Sequence, residues 1–208
     1  HGTEPPTGAS TIEYRSMQDR LCLPIAFDPA RLRVDLAACR SSDWVAHFVT
    51  QNFEGEWHVL PLRAPAGAQH PVLMIYPDPA CEDFVDTPML DRCPYIRTVL
   101  GTFECSLEAV RLMRLGPQSL IREHSDYDLS LEDGVVRLHV PIVTDEHVDF
   151  RLNDRSIRMQ AGECWYLRLS DPHSVANRGS QDRVHLVIDA RVNDWLRGLL
   201  QEAATDQP

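Results

Sequence analysis

His124-Ser125-Asp126 and, forty-nine residues on, His173 are the side chains best suited to hold a transition metal. In extended backbone, positions i and i+2 point to one side, so an imidazole and a carboxylate spaced this way can meet at one ion. Two imidazoles and one carboxylate with open positions left over form the facial ligand set of non-haem Fe(II) sites. Taken alone, H-x-D is a weak signal, because such a pair is common as a surface hydrogen bond. Its surroundings strengthen it. Asp171-Pro172-His173 opens one predicted strand, and Arg183 opens another ten residues later.

On that last strand, RVHLVIDA, Arg183 and His185 share one face while Val184 and Leu186 share the other. The stretch VVRLHVPI repeats the pattern, with Arg137 and His139 opposite Val136, Leu138 and Val140. A wall that buries cations needs anions beside them, since unpaired buried charge is costly. A guanidinium grips a carboxylate in a two-pronged fork, so a dicarboxylate cosubstrate is a natural occupant. The plainer reading pairs Arg137 and Arg183 with the chain's own surplus acids. Arg111 on the preceding strand, Arg122 beside His124, and Arg63 on the strand of Trp57 are further candidates for a substrate carboxylate. Each is equally readable as a surface or structural arginine. His47, His58, His70 and His147 lie in polar or loop text and receive no role.

These side chains must be positioned by many short strands. After Cys105 the chain is a succession of alternating runs, at 109–115, 119–124, 135–142, 147–153, 156–160, 164–169, 173–177 and 183–190. Turn residues such as Gly116-Pro117, Asn153-Asp154 and Asp171-Pro172 separate them, as in a jelly roll. Upstream, Asp28-Pro29 caps a short predicted helix through Cys39, WHVLPLR (57–63) reads as a strand, and a second helix falls within 88–100. The expected architecture is therefore mainly β: a double-stranded β-helix (jelly-roll) barrel with an N-terminal helical region and a C-terminal helix. In this division residues 1–10 are a loose lead-in and 11–208 a single domain. Its parts are a helical lid (11–105), the jelly-roll core (106–191) and a packing helix (192–203).

Composition narrows the chemistry. All twenty basic residues are arginine, so no lysine is available for a Schiff base or a phosphate-binding loop. A formal charge of −11 disfavours nucleic acid and anionic lipid surfaces as partners. No apolar run approaches membrane-spanning length. The six cysteines include no C-x-x-C pair, which reads as reduced thiols in a cytoplasmic protein.

The stretch from Arg111 to Asp189 resembles the aspartyl/asparaginyl β-hydroxylase family of 2-oxoglutarate-dependent oxygenases, particularly its bacterial branch of L-proline cis-4-hydroxylase-like enzymes. IREHSD (121–126), RLHVPI (137–142), DPHSVAN (171–177) and DRVHLVID (182–189) carry the resemblance; EGEWHVLPLR (54–63) extends it more loosely. It implies that His124, Asp126 and His173 bind Fe(II) and that Arg183 grips the distal carboxylate of 2-oxoglutarate. Arg137, His139, Val175 and Trp57 would line that pocket. The implied reaction uses O2 to hydroxylate an sp3 C–H of a small amino acid, free or carrier-presented, with release of succinate and CO2. Met113 stands where the animal enzymes carry a serine hydroxyl, and Asp126 is an acid those enzymes lack. Both departures point away from aspartyl residues in folded domains as substrate. A carboxylate at 126 also closes the position a halide would need, which favours hydroxylation over halogenation. Two other readings share the barrel: a cupin-type metal enzyme that needs no 2-oxoglutarate, and a non-catalytic binding jelly roll.

Overall fold

A computed structural model describes residues 18–75 and 80–207; the expected lead-in over 1–10 lies outside them. Two antiparallel sheets face each other. The larger contains β1 (Arg20–Ala26), β2 (Val45–Ala46), β4 (Trp57–Pro65), β5 (Phe84–Asp86), β6 (Leu107–Leu115), β8 (Val135–Val143), β11 (Glu163–Leu167) and β13 (Arg183–Arg191). Its order is β1-β11-β8-β13-β6-β4-β2, with β5 on the edge of β4. The smaller sheet contains β3 (Phe53–Glu54), β7 (Ser119–His124), β9 (Val148–Leu152), β10 (Arg155–Ile157) and β12 (His173–Asn177), in the order β10-β9-β12-β7-β3. This is the double-stranded β-helix that the alternating runs predict.

Period-2 alternation gives the larger sheet two distinct faces. Its outer face supplies Leu60, Leu112, Leu138, Val140, Leu186 and Ile188 to the main apolar core. Helices α1 (Pro29–Ala38), α3 (Pro94–Gly101) and α4 (Asp194–Asp206) close that core with Leu32, Ile96 and Leu196; a one-turn helix, α2, spans Pro71–Ile75. Asp28 caps α1 by accepting from the Ala30 and Arg31 amides, with Pro29 at the first helical position. The buried Asp35 of α1 accepts from the Ile96 amide at the start of α3 (2.7 Å), which ties the two helices together. Burial on both faces explains why β13 reads as an almost unbroken buried run.

The upstream half carries strands beside the two helices that its text predicts. RLCLPIA pairs with β11 as the far edge of the larger sheet, and Trp57–Pro65 is one of its inner strands. The sheet thus draws strands from both sides of the expected boundary at 105/106. Pro24 interrupts β1, and only pairing with β11 decides its state. Gly162, at φ +87°, turns the chain into β11 against the Phe27 carbonyl, where a Cβ would collide with that oxygen. All six cysteines are free thiols, and no helix among the described residues is long and apolar enough to cross a membrane.

Candidate metal centre and anion pocket

The last residue of β7, His124, lies directly opposite the first residue of β12, His173. That register closes the forty-nine-residue gap, and a bulge between His173 and Val175 lets the two rings converge, with centroids 4.3 Å apart. Asp126 has already left the strand; its amide donates to the Leu169 carbonyl (2.8 Å), which fixes the loop. Its carboxylate sits 3.5 Å from His124 Nε2 and 3.7 Å from His173 Nε2. One ligand atom from each of the three lies within 4.8 Å of the others. The Nδ1 atoms face carbonyls, Arg122 O for His124 (2.8 Å) and Asp171 O for His173 (3.0 Å). A carbonyl only accepts, so each Nδ1 carries its proton and each Nε2 is left bare, as a metal ligand requires.

Deeper in the barrel, the inner face of β13 carries Arg183, His185, Val187 and Asp189 in alternation. Arg183 is 2% exposed. Its Nη2 donates to His185 Nδ1 (2.8 Å), and its guanidinium carbon lies 5.7 Å from the Phe150 ring centre. No acid pairs with it among the described residues. His139 Nδ1 sits 3.0 Å from the same His185 nitrogen. A cleft of about 270 Å³, lined in part by Val148, Phe150, Ile157 and Met159, reaches His185.

Arg137 behaves differently. It forks onto Asp189 through Nε (2.7 Å) and Nη2 (3.0 Å), and its Nη1 donates to Asp126 Oδ2 (3.0 Å). Arg111 Nη2 also donates to Asp189 (3.1 Å). For Arg137 the plainer sequence reading therefore describes its pairing, whereas Arg183 has no such acid. Val175 and Trp57 pack in the inner apolar cluster with Phe150, Leu152 and Leu115.

Arg122 and Arg63 are engaged elsewhere. The exposed Arg122 guanidinium donates to the Gln51 carbonyl and Glu54, so only its backbone serves the triad. Arg63 pairs with Asp86 and lines a separate cleft of about 560 Å³ with Arg97 and Arg191. Two residues without a sequence role belong to the site instead. Asp189 continues the face of Arg183 and His185, a signal present in RVHLVIDA. His47 is buried, its ring stacked 3.8 Å from that of Trp57 and 3° from parallel; nothing in its loop text marks it.

Four buried side-chain polar atoms have no hydrogen-bond partner among the described residues: Trp57 Nε1, Arg111 Nη1, His139 Nε2 and Arg183 Nε. All belong to residues on the inner wall of the larger sheet. Three are obligate donors, and buried donors without acceptors are rare and costly. The wall is built for acceptors that the protein itself does not supply.

Burial holds His139 and His185 well below the ordinary imidazole range, with the Arg183 charge reinforcing it. Burial also lowers His173, and lowers His47 to about 4. Below pH 6.5 an unfolded chain takes up protons that these buried rings refuse, so the folded state loses stability as pH falls. Each such histidine contributes a slope approaching about 1.4 kcal/mol per pH unit. The expected result is a melting temperature that drops steadily from pH 6.5 to 5 in metal-free protein, measured by calorimetry. A flat profile would show that the rings titrate normally.

Residues 30–192 match the Aspartyl/Asparaginyl beta-hydroxylase family. A Rhizobium meliloti (strain 1021) protein described as L-proline cis-4-hydroxylase is 30% identical over 189 residues, or 87% of this chain and 65% of that relative. The chain thus spans just under two thirds of that relative's length. A solved structure from Burkholderia pseudomallei, an oxidoreductase of the 2OG-Fe(II) oxygenase family, is similar with a TM-score of 0.54 at 15% identity, covering 91% of this chain and 93% of that one. A non-heme alpha ketoglutarate dependent epimerase from nogalamycin biosynthesis is similar with a TM-score of 0.51 at 13% identity, over 86% of this chain and 79% of that one. These two share the fold. The family match covers most of the chain and includes the triad and the inner wall, and the chain belongs to the aspartyl/asparaginyl β-hydroxylase family.

Proposed function

We propose that the protein is an Fe(II)- and 2-oxoglutarate-dependent dioxygenase that hydroxylates an sp3 C–H of a small amino acid or amino-acid-derived substrate, releasing succinate and CO2. The observation that carries this reading is the set of unpartnered buried polar atoms on the inner wall of the larger sheet, together with a His-Asp-His cluster carried by the smaller sheet. The donor set fits the metal: two imidazoles with bare Nε2 atoms and one carboxylate, with room for further ligands. When bound, the ferrous centre with 2-oxoglutarate and O2 supplies the oxidant for the C–H bond.

The protein's own residues do the rest. Arg183 accepts the distal carboxylate of 2-oxoglutarate, regaining the counter-charge that it lacks. Trp57 offers its unpartnered indole N–H beside it, His139 lines the same wall, and Val175 with Phe150 and Leu152 keeps the pocket dry. Arg137 steadies Asp126 from the side. Arg111, with one nitrogen unpartnered, holds a substrate carboxylate near the metal and so orients the C–H to be attacked. A relative described as L-proline cis-4-hydroxylase supports an amino acid as the substrate class. Six cysteines without a disulfide support a cytoplasmic location.

The test is a screen of the twenty amino acids and short peptides with Fe(II), 2-oxoglutarate and O2. At least one is expected to drive succinate release and give a product heavier by one oxygen. Oxygen uptake that ignores 2-oxoglutarate would overturn the reading in favour of a cupin-type enzyme. Absence of a visible absorption band with anaerobic Fe(II) and 2-oxoglutarate would overturn it in favour of a binding protein.

A further inference from the structure

Asp189 is a carboxylate the proposed chemistry does not use. It is 6% exposed and stands opposite Arg137 across β13 and β8. Its two oxygens take three N–H donors, two from Arg137 and one from Arg111. Burial opposes its charge, but the two guanidiniums outweigh that and hold its carboxyl well below the usual range. The chain Arg111–Asp189–Arg137–Asp126 therefore alternates cation and anion, and its last anion belongs to the triad.

Asp126 is a second anion that both arginines feel, Arg137 by direct contact and Arg111 through its charge. Arg137 already reaches its Oδ2, and each further N–H donated to that carboxylate would occupy a lone pair that a cation needs. We propose that Asp189 is a positioning residue: by anchoring Arg111 and Arg137 it confines their hydrogen bonding to Asp126 to the one Arg137 bond on Oδ2, leaving Oδ1, which faces His124 Nε2 at 3.5 Å, open to a metal ion. This rests on the reading of the triad as a metal site.

The experiment measures Co(II) binding to the metal-free protein by its visible absorption, without 2-oxoglutarate or substrate, so that turnover plays no part. Asp189→Asn keeps the shape of the side chain and removes the charge that anchors the arginines. Its Co(II) affinity is expected to fall about tenfold or more, the size of effect seen when partners of metal ligands are lost. Adding Arg111→Met removes the surplus cation and is expected to restore affinity to within about threefold of the unmodified protein. A purely structural role would not produce that rescue, since the second substitution only deepens the damage. If Asp189→Asn does not fold, Asp189→Glu and the charge-balanced double variant carry the comparison, both expected near the unmodified affinity. Unchanged affinity in Asp189→Asn, or a double variant as weak as or weaker than the single one, overturns the proposal. A double variant tenfold weak where the single one does not fold overturns it equally. Failure of the unmodified protein to bind Co(II) overturns the triad reading itself, which separates the two.

Discussion

Asp126→Ala is expected to reduce substrate-dependent succinate formation to background and to abolish Fe(II) binding measured separately. The physical reason is twofold. Asp126 is the sole anion of the triad, and two neutral imidazoles leave a divalent cation poorly compensated in a partly dry site. The substitution also strips Arg137 Nη1 of its acceptor at 3.0 Å. It leaves that nitrogen facing the metal position with no carboxylate between them, while the rest of the guanidinium stays forked on Asp189. Alanine therefore removes an attraction and exposes a repulsion together. The fold should survive, because Asp126 is in a loop held by its backbone amide to Leu169 rather than by its side chain. Undiminished succinate release would remove Asp126 from the ligand set.

Arg183→Met carries the second large effect, and its sign differs between two measurements. Truncating one partner of a buried, hydrogen-bonded charge pair costs about 2–5 kcal/mol. Affinity for 2-oxoglutarate is then expected to fall by about 30- to 4,000-fold, read from anaerobic titration of the Fe(II) complex. Stability should move the other way. In the ligand-free protein Arg183 is buried without an acid partner among the described residues, held by His185 and the Phe150 face. Replacing such a charge with an apolar side chain of similar length should leave the melting temperature unchanged or raise it. Lower stability together with unaltered 2-oxoglutarate affinity would make Arg183 a structural residue. The opposed pair of changes would mark a residue kept for its ligand at a cost to the fold.

Strand after strand was legible in the text because alternation with a two-residue period is written into the chain. His173–Asn177 and Ser119–His124 fall where the alternating runs place them. The Asp28-Pro29 helix start was equally readable, since a cap and a proline act locally. The reading weakens wherever the decision is made at a distance. RLCLPIA is interrupted by Pro24, and only hydrogen bonds to β11 make it a strand. His47 sits in polar text, and its burial over Trp57 comes from the β2–β4 pairing that brings the loop inward.

Residue types alone determined that this chain has two imidazoles and an acid at metal-binding spacing, no lysine, and arginines on strand faces that also carry histidines. Those are local properties, set by side-chain chemistry and backbone period. Which arginine is paired and which is not was decided only by tertiary structure. Arg137 and Arg183 look alike in sequence, each followed two residues later by a histidine. Register places Asp189 opposite Arg137 and places no acid opposite Arg183, whose partner across β6 is Leu115. Cross-strand neighbours come from distant segments, so whether a buried charge is satisfied cannot be read along one strand.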